Sequence, residues 1–328
     1  MRLSIGGNGS YSFPQRTALA PSGSPVVVAA GGAYKAFPTL CVMPNGELLS
    51  AYRGEATAHA SVDGNILGKV STDDGDTWGS PFTIVDSATD ARDPSLTTLS
   101  DGRIACSYFE YNGTAGTGVF VTFSDDNAAT WDTPVEMAST FTLEVACSAP
   151  IFEFGSVLIQ PIYGRNGATF DAACLFSTDA GSTWGNQTDI AAGGGHDWTE
   201  PWIVRTFSGA LLCLIRVFDV EEIQGTYSTD AASTWTTPFV AFTGDSRASP
   251  FVDSAGTIFT LYRKSAADPD GLYRNSLDDG ATWTAPTLWT SAVFEYAAAV
   301  ELPSGRKVAA WAEEASSSDA DVYLSEIA

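Results

Sequence analysis

A chain of 328 residues with 44% hydrophobic and 12% aromatic content buries a large core, which excludes general disorder. A net charge of −23, with 4 Lys beside 12 Arg, excludes nucleic acid and anionic membrane as partners, because both need a basic surface to release counterions. Five scattered cysteines without a CxxC pair, and only two histidines, give no sign of a disulfide framework, a metal site or a cofactor.

In chain order, the opening "MRLSIGGNGSYSF" lacks the apolar centre of a signal peptide, and residues 1–22 fall outside any repeat, as an arm. "PVVVAA" at 25–30 reads as a strand with no partner nearby. Six strand–turn–strand units follow. They are "FPTLCVMPNGELLSAYR" from 37, "DPSLTTLSDGRIACSYF" from 93, "APIFEFGSVLIQPIY" from 149, "EPWIVRTFSGALLCLIR" from 200, "SPFVDSAGTIFTLYR" from 249 and "YAAAVELPSGRKVAAWA" from 296. Between them an S-x-D-x-(G/A)-x-T-W box recurs five times, its tryptophans at 78, 131, 184, 235 and 283. A step of about 50 residues is the period of a four-stranded propeller blade. Ser and Asp in the box bond a tight turn and Trp packs between blades, so these aspartates are scaffold rather than calcium ligands or catalysts. The sixth unit reaches "VYLSEIA" without a box, and the strand at 25–30 is expected to close the ring as its outer strand, removing exposed sheet edges. The fold predicted is all-β: a six-bladed β-propeller, four antiparallel strands per blade, over residues 23–328.

Equivalent positions at the start of each inner strand ring the axis on one face. There stand Arg92, Asp93, Glu144, Glu200, Arg247 and Glu295 with Tyr296, while Arg53, Arg216 and Arg263 end second strands and His59 follows the first of these. Such a cluster predicts a polar axial pocket; for any single arginine an inter-blade salt bridge is the competing role. Several carboxylates around one pocket suit glycoside hydrolysis.

Five boxes and six units resemble the sialidase (neuraminidase) superfamily, with its Asp-box or BNR repeats. The resemblance implies an arginine triad that grips a carboxylate, a Tyr nucleophile paired with a Glu, and an Asp acid. Glu200 and Arg216, sixteen residues apart, are similar to the family's Glu-to-Arg segment, and "YAAAVELPSG" puts Tyr296 at the nucleophile position. Two departures stand out. Ala36 occupies the place of the first triad Arg, and the third has no clear equivalent unless Arg263 or Arg247 substitutes. The family's acid maps poorly onto Asp63; Asp93 and His59 are the other candidates. Tyr296, Glu200, Asp93 and His59 are therefore expected to be catalytic. Arg216, Arg92, Arg53, Arg247, Arg263 and Glu144 are expected to bind substrate, with no metal. The partner is a glycan, a sialoside or other acidic sugar included. The alternative is a non-catalytic glycan-binding propeller, such as a bacteriophage receptor-binding or tail component. A soluble, secreted-type or virion-borne protein fits either.

Overall fold

A computed structural model describes residues 16–328, so most of the predicted arm (1–22) lies outside the described residues. Six antiparallel sheets stand around one axis, and apart from a single 3-10 turn at Phe218–Val220 the regular structure of the described residues is all strand. The inner strands of blades one to six begin at Tyr34, Asp90, Glu144, Trp198, Ser249 and Phe294. That of blade three is split into Glu144–Ala146 and Phe152–Phe154, both paired with Val157–Arg165. Pro21–Ala29 supplies the outer strand of blade six, pairing with Asp319–Ile327 (Val27 opposite Tyr323, Ala29 opposite Val322), as the sequence predicts.

The core is six wedges rather than one centre: each pair of adjacent blades shares its own cluster of buried side chains. Leu49, Ile66, Ile104 and Tyr108 join blades one and two; Leu40, Val308, Val322 and Leu324 join blade six to blade one and complete the circle. All five cysteines are buried and free, as small apolar groups. No helix of the described residues is long and apolar enough to cross a membrane.

The five repeated turns share one bonding pattern. In the first, Ser71 Oγ donates to Asp73 Oδ1 and accepts from Gly75 N, while Thr77 N and Oγ1 donate to the Asp73 carboxylate at 2.8 and 2.5 Å. The same contacts form around Asp126, Asp179, Asp230 and Asp278. The box carboxylates are thus spent on their own turn, and the tryptophans pack between blades.

Candidate active site

Near its start, each of three inner strands carries a residue that precedes proline and takes a left-handed backbone: Phe37, Asp93 and Glu200, at φ 57°, 49° and 51°. This is costly for residues with a Cβ, and doubly unusual before proline. At each place the register slips, between Ala36 and Thr39, Arg92 and Ser95, and Thr199 and Trp202. A bulge re-aims its side chain, and stored strain of this kind concentrates at functional sites. Here it brings Asp93 and Glu200, both buried, toward Tyr296 of blade six.

Tyr296 Oη donates a hydrogen bond to Glu200 Oε1, joining blades six and four across the ring. Arg216 Nη1 donates to Glu200 Oε2 at 3.2 Å. The Tyr296 ring lies 5.1 Å from that of Phe37, and the Arg247 guanidinium sits 4.7 Å from it and 4.8 Å from the Trp202 ring. Burial, reinforced by Glu200 and Asp93, pushes the Tyr296 phenol well above its usual range, so it keeps its proton until a base takes it. Asp93 has no ion pair or hydrogen bond to its side chain among the described residues, and burial pushes it up to about 6 despite Arg92 and Arg247. A carboxyl of that kind can hold a proton near neutral pH and give it away.

Around this centre the arginines divide into two kinds. Arg216 Nη2 donates to Asp245 Oδ1 at 2.8 Å; Arg263 Nη2 donates to Asp245 Oδ2 at 3.2 Å, and its Nη1 to Glu295 Oε1 at 2.8 Å. Burial works against the charge of Arg216, but Glu200 and Asp245 more than offset it and its pKa rises. Arg263 rises for the like reason, with Glu295 leading. Burial pushes Glu295 up to about 7, against the pull of Arg263. By contrast Arg53 is fully enclosed. Its Nε and Nη2 hold Asp90 at 2.7 and 2.9 Å, and its other contacts are Ala58 O, Ser61 O and Ser61 Oγ. Gly64 packs so closely that a Cβ there would collide with both members of the pair.

Several expected substrate ligands are therefore placed elsewhere. Arg53 is inter-blade bracing, with no surface facing the axis. Arg247 is a buried floor, donating to Ser148 O, Ala297 O and Ser249 Oγ. Glu144 stands on the rim in a pair with Arg165 at 3.1 Å. Asp63 is exposed and accepts from Thr57 N within its own loop. Arg92 donates to His59 O at 2.7 Å and covers the Phe37 ring. His59 lies at the mouth, 2.8 Å from Tyr34 Oη and 3.6 Å from Glu314. With Glu295 and Glu314 it is the one group of possible metal ligands among the described residues, their donor atoms within 4.8 Å of one another; Arg263 competes for Glu295. Sequence reasoning missed Tyr34, Glu314 and above all Asp245. A signal was there: Asp245-x-Arg247 repeats Asp90-x-Arg92 at the same blade position.

An axial cavity of about 520 Å³ is lined by all six inner strands, including Leu40, Leu96, Ile151, Val204, Phe251 and Val300. It touches none of the catalytic candidates. Trp202, under Arg247, belongs to its wall, so the Arg247–Trp202 stack separates it from Tyr296. The charged residues thus ring a mouth above that floor rather than the axial cavity itself.

Residues 46–249, more than half of the chain, match the BNR repeat-like domain. The chain belongs to that family. This BNR repeat-like propeller is similar to a protein of unknown function from Dyadobacter fermentans, at 18% identity and TM-score 0.82, over 94% of this chain and 98% of that one. It is also similar to the NanB sialidase from Streptococcus pneumoniae (13% identity, TM-score 0.73, 95% of this chain and 70% of that one). A third likeness is to the Penicillium chrysogenum α-L-arabinanase solved with arabinobiose (16% identity, TM-score 0.68, 94% and 99%). At these identities the likeness is one of fold, and the fold hosts more than one glycosidase. No curated protein matches the chain.

Proposed function

We propose that this protein is a glycoside hydrolase that works through a covalent intermediate on Tyr296, acting on a surface or extracellular glycan bound at the mouth above the Arg247–Trp202 floor. The observation that carries the reading is the hydrogen bond from Tyr296 Oη to Glu200. A phenol whose pKa is raised by burial is a poor nucleophile alone, and a carboxylate already on its proton removes that obstacle.

In the first step Tyr296 Oη bonds to the anomeric carbon while its proton passes to Glu200. The glycosidic bond breaks, and Asp93 gives its proton to the leaving oxygen. Water then attacks the anomeric carbon of this tyrosyl glycoside, giving a proton to Asp93, while the carbon–phenol bond breaks and Glu200 returns the first proton to the phenol. Arg247, close under the ring, stabilises negative charge on the Tyr296 oxygen through the transfer. The exposed Phe218 ring, 4.7 Å from the Arg216 guanidinium, offers an apolar face at the rim for a sugar.

A hydrolysis screen of aryl glycosides, sialosides included, with Tyr296→Phe alongside, tests this. The variant is expected to fold as the parent and lose ~10³-fold or more in kcat/KM. Glu200→Gln should lose a similar factor and the double variant little more, because members of one catalytic unit are not additive. If Tyr296→Phe stays active while Asp93→Asn is dead, the chemistry belongs to carboxylates alone. If nothing turns over and all variants still bind glycan, the protein is a lectin on this scaffold.

A further inference from the structure

The resemblance to sialidases leads one to expect arginines waiting for a ligand's carboxylate. At the mouth, Arg216 and Arg263 are already engaged. Of the four terminal nitrogens on Arg216 and Arg263, two point at Asp245, one at Glu200 and one at Glu295. Asp245 spans the two guanidinia, one oxygen to each, as a bound carboxylate would. We infer that Asp245 is a built-in occupant of this clamp, and that the sugar accepted over Tyr296 is neutral, without a carboxylate of its own.

Three observations support this. First, Asp245 is anchored by backbone as well as charge. Its N donates to Arg263 O at 3.0 Å, its O accepts from Arg263 Nη2 at 3.0 Å, and Arg263 N donates to Ser246 Oγ at 2.8 Å. The preceding Gly244 packs where a Cβ would lie 2.7 Å from the Tyr262 ring, which leaves the segment little room to swing away. Second, a competing carboxylate would have to evict Asp245 and leave it buried without a partner, and stranding a buried charge is costly. Third, the mouth has no surplus of cations. Arg92, Arg216, Arg247 and Arg263 face Asp93, Glu200, Asp245 and Glu295, all buried or nearly so, Glu314 adds a further carboxylate, and Ala36 adds no cation where the family has one. A neutral sugar has the complementary chemistry. Its hydroxyls donate to carboxylate lone pairs that the arginines leave free, since each carboxylate offers about four.

This deepens the hydrolase reading and rests on it only for where the sugar sits. The test is binding of a matched pair, the dehydrated analogue of sialic acid and its methyl ester, which differ in the carboxylate alone. Wild-type protein is expected to bind the acid no better than the ester. Asp245→Ala, which frees the clamp, is expected to bind the acid at least about tenfold more tightly than wild type does, consistent with the strength of bidentate Arg–carboxylate pairs. Should that variant fail to fold, Asp245→Asn is expected to move the acid-to-ester ratio in the same direction by about threefold. A wild-type preference for the acid of tenfold or more overturns the inference, as does a folded variant with the wild-type ratio. A protein that turns over no aryl glycoside yet shows the shift loses the hydrolase reading and keeps this one. Preferential turnover of sialosides over neutral glycosides keeps the hydrolase and discards this inference.

Discussion

The junction between blades one and two and the junction between blades four and five are built on the same plan. In each, an arginine ending the second strand of one blade (Arg53, Arg216) reaches the aspartate of an Asp-x-Arg segment opening the next (Asp90, Asp245). At the first junction both side chains are fully enclosed and further Arg53 donors end on the loop that follows. At the second, Arg216 shares its donors between Asp245 and Glu200, and its Nε has no partner among the described residues. What separates them is the neighbour: blade one places Phe37 at the bulge where blade four places Glu200. One junction is mortar. The other couples the ring's bracing to a tyrosine through one further carboxylate, Glu200, on which the proposed chemistry rests.

The sharpest way to break this comparison is to remove the arginines in turn. Arg216→Met is expected to cut turnover by ~10²-fold or more, since Glu200 loses its fixed orientation toward Tyr296. Arg53→Met is expected to leave turnover per folded molecule intact and to cost about 3 kcal/mol of stability, because buried Asp90 keeps only Gly64 N at 3.0 Å and the longer contact to Arg92 Nε at 3.5 Å. Thermal and denaturant melts beside kcat/KM measurements separate the two; equal loss of activity in both would erase the distinction.

A smaller effect sharpens it through pH. Burial raises Asp93 to about 6, so as the acid it must be protonated, and kcat/KM should fall tenfold per pH unit above about 6. The same shift acts on stability. A carboxyl whose folded pKa exceeds its unfolded value favours the folded state below the unfolded pKa and loses that contribution as pH rises through about 6. Asp93→Asn should therefore be dead or nearly so, yet more stable than the parent at pH 8, by melting temperature. Burial raises Asp90 as well, but Asp90→Asn, at the sealed junction, should be less stable at the same pH, because it strands the fully enclosed charge of Arg53. Least is expected from the rim: Glu144→Gln exposes no buried charge and should cost under about 1 kcal/mol, with turnover unchanged.

The tryptophan spacing was enough to read the blade count, and the missing sixth box was enough to place the N-terminal strand. Both follow from repetition, which a single chain displays to itself. The pairing of Tyr296 with Glu200 was legible only through the resemblance. Arg53 was misplaced because repetition shows that Arg53, Arg216 and Arg263 are equivalent in their blades without showing what faces each one. That depends on the φ of Phe37 and Glu200 and on the loop that covers Arg53, and neither has a periodic signature. Asp245 was overlooked because it lies four residues before the strand-opening Ser249, just outside the segments that repeat most clearly.

Ring closure has a consequence for how the molecule is made. Pro21–Ala29 leaves the ribosome long before its partner Asp319–Ile327. At about 5–20 residues per second, the early strand waits roughly 15–60 s for a mate. Over that interval the edge of blade one that will meet blade six, with Leu40, Leu48 and Tyr52, has no covering layer. Until Asp319–Ile327 arrives, a nascent chain of this design keeps that apolar edge open.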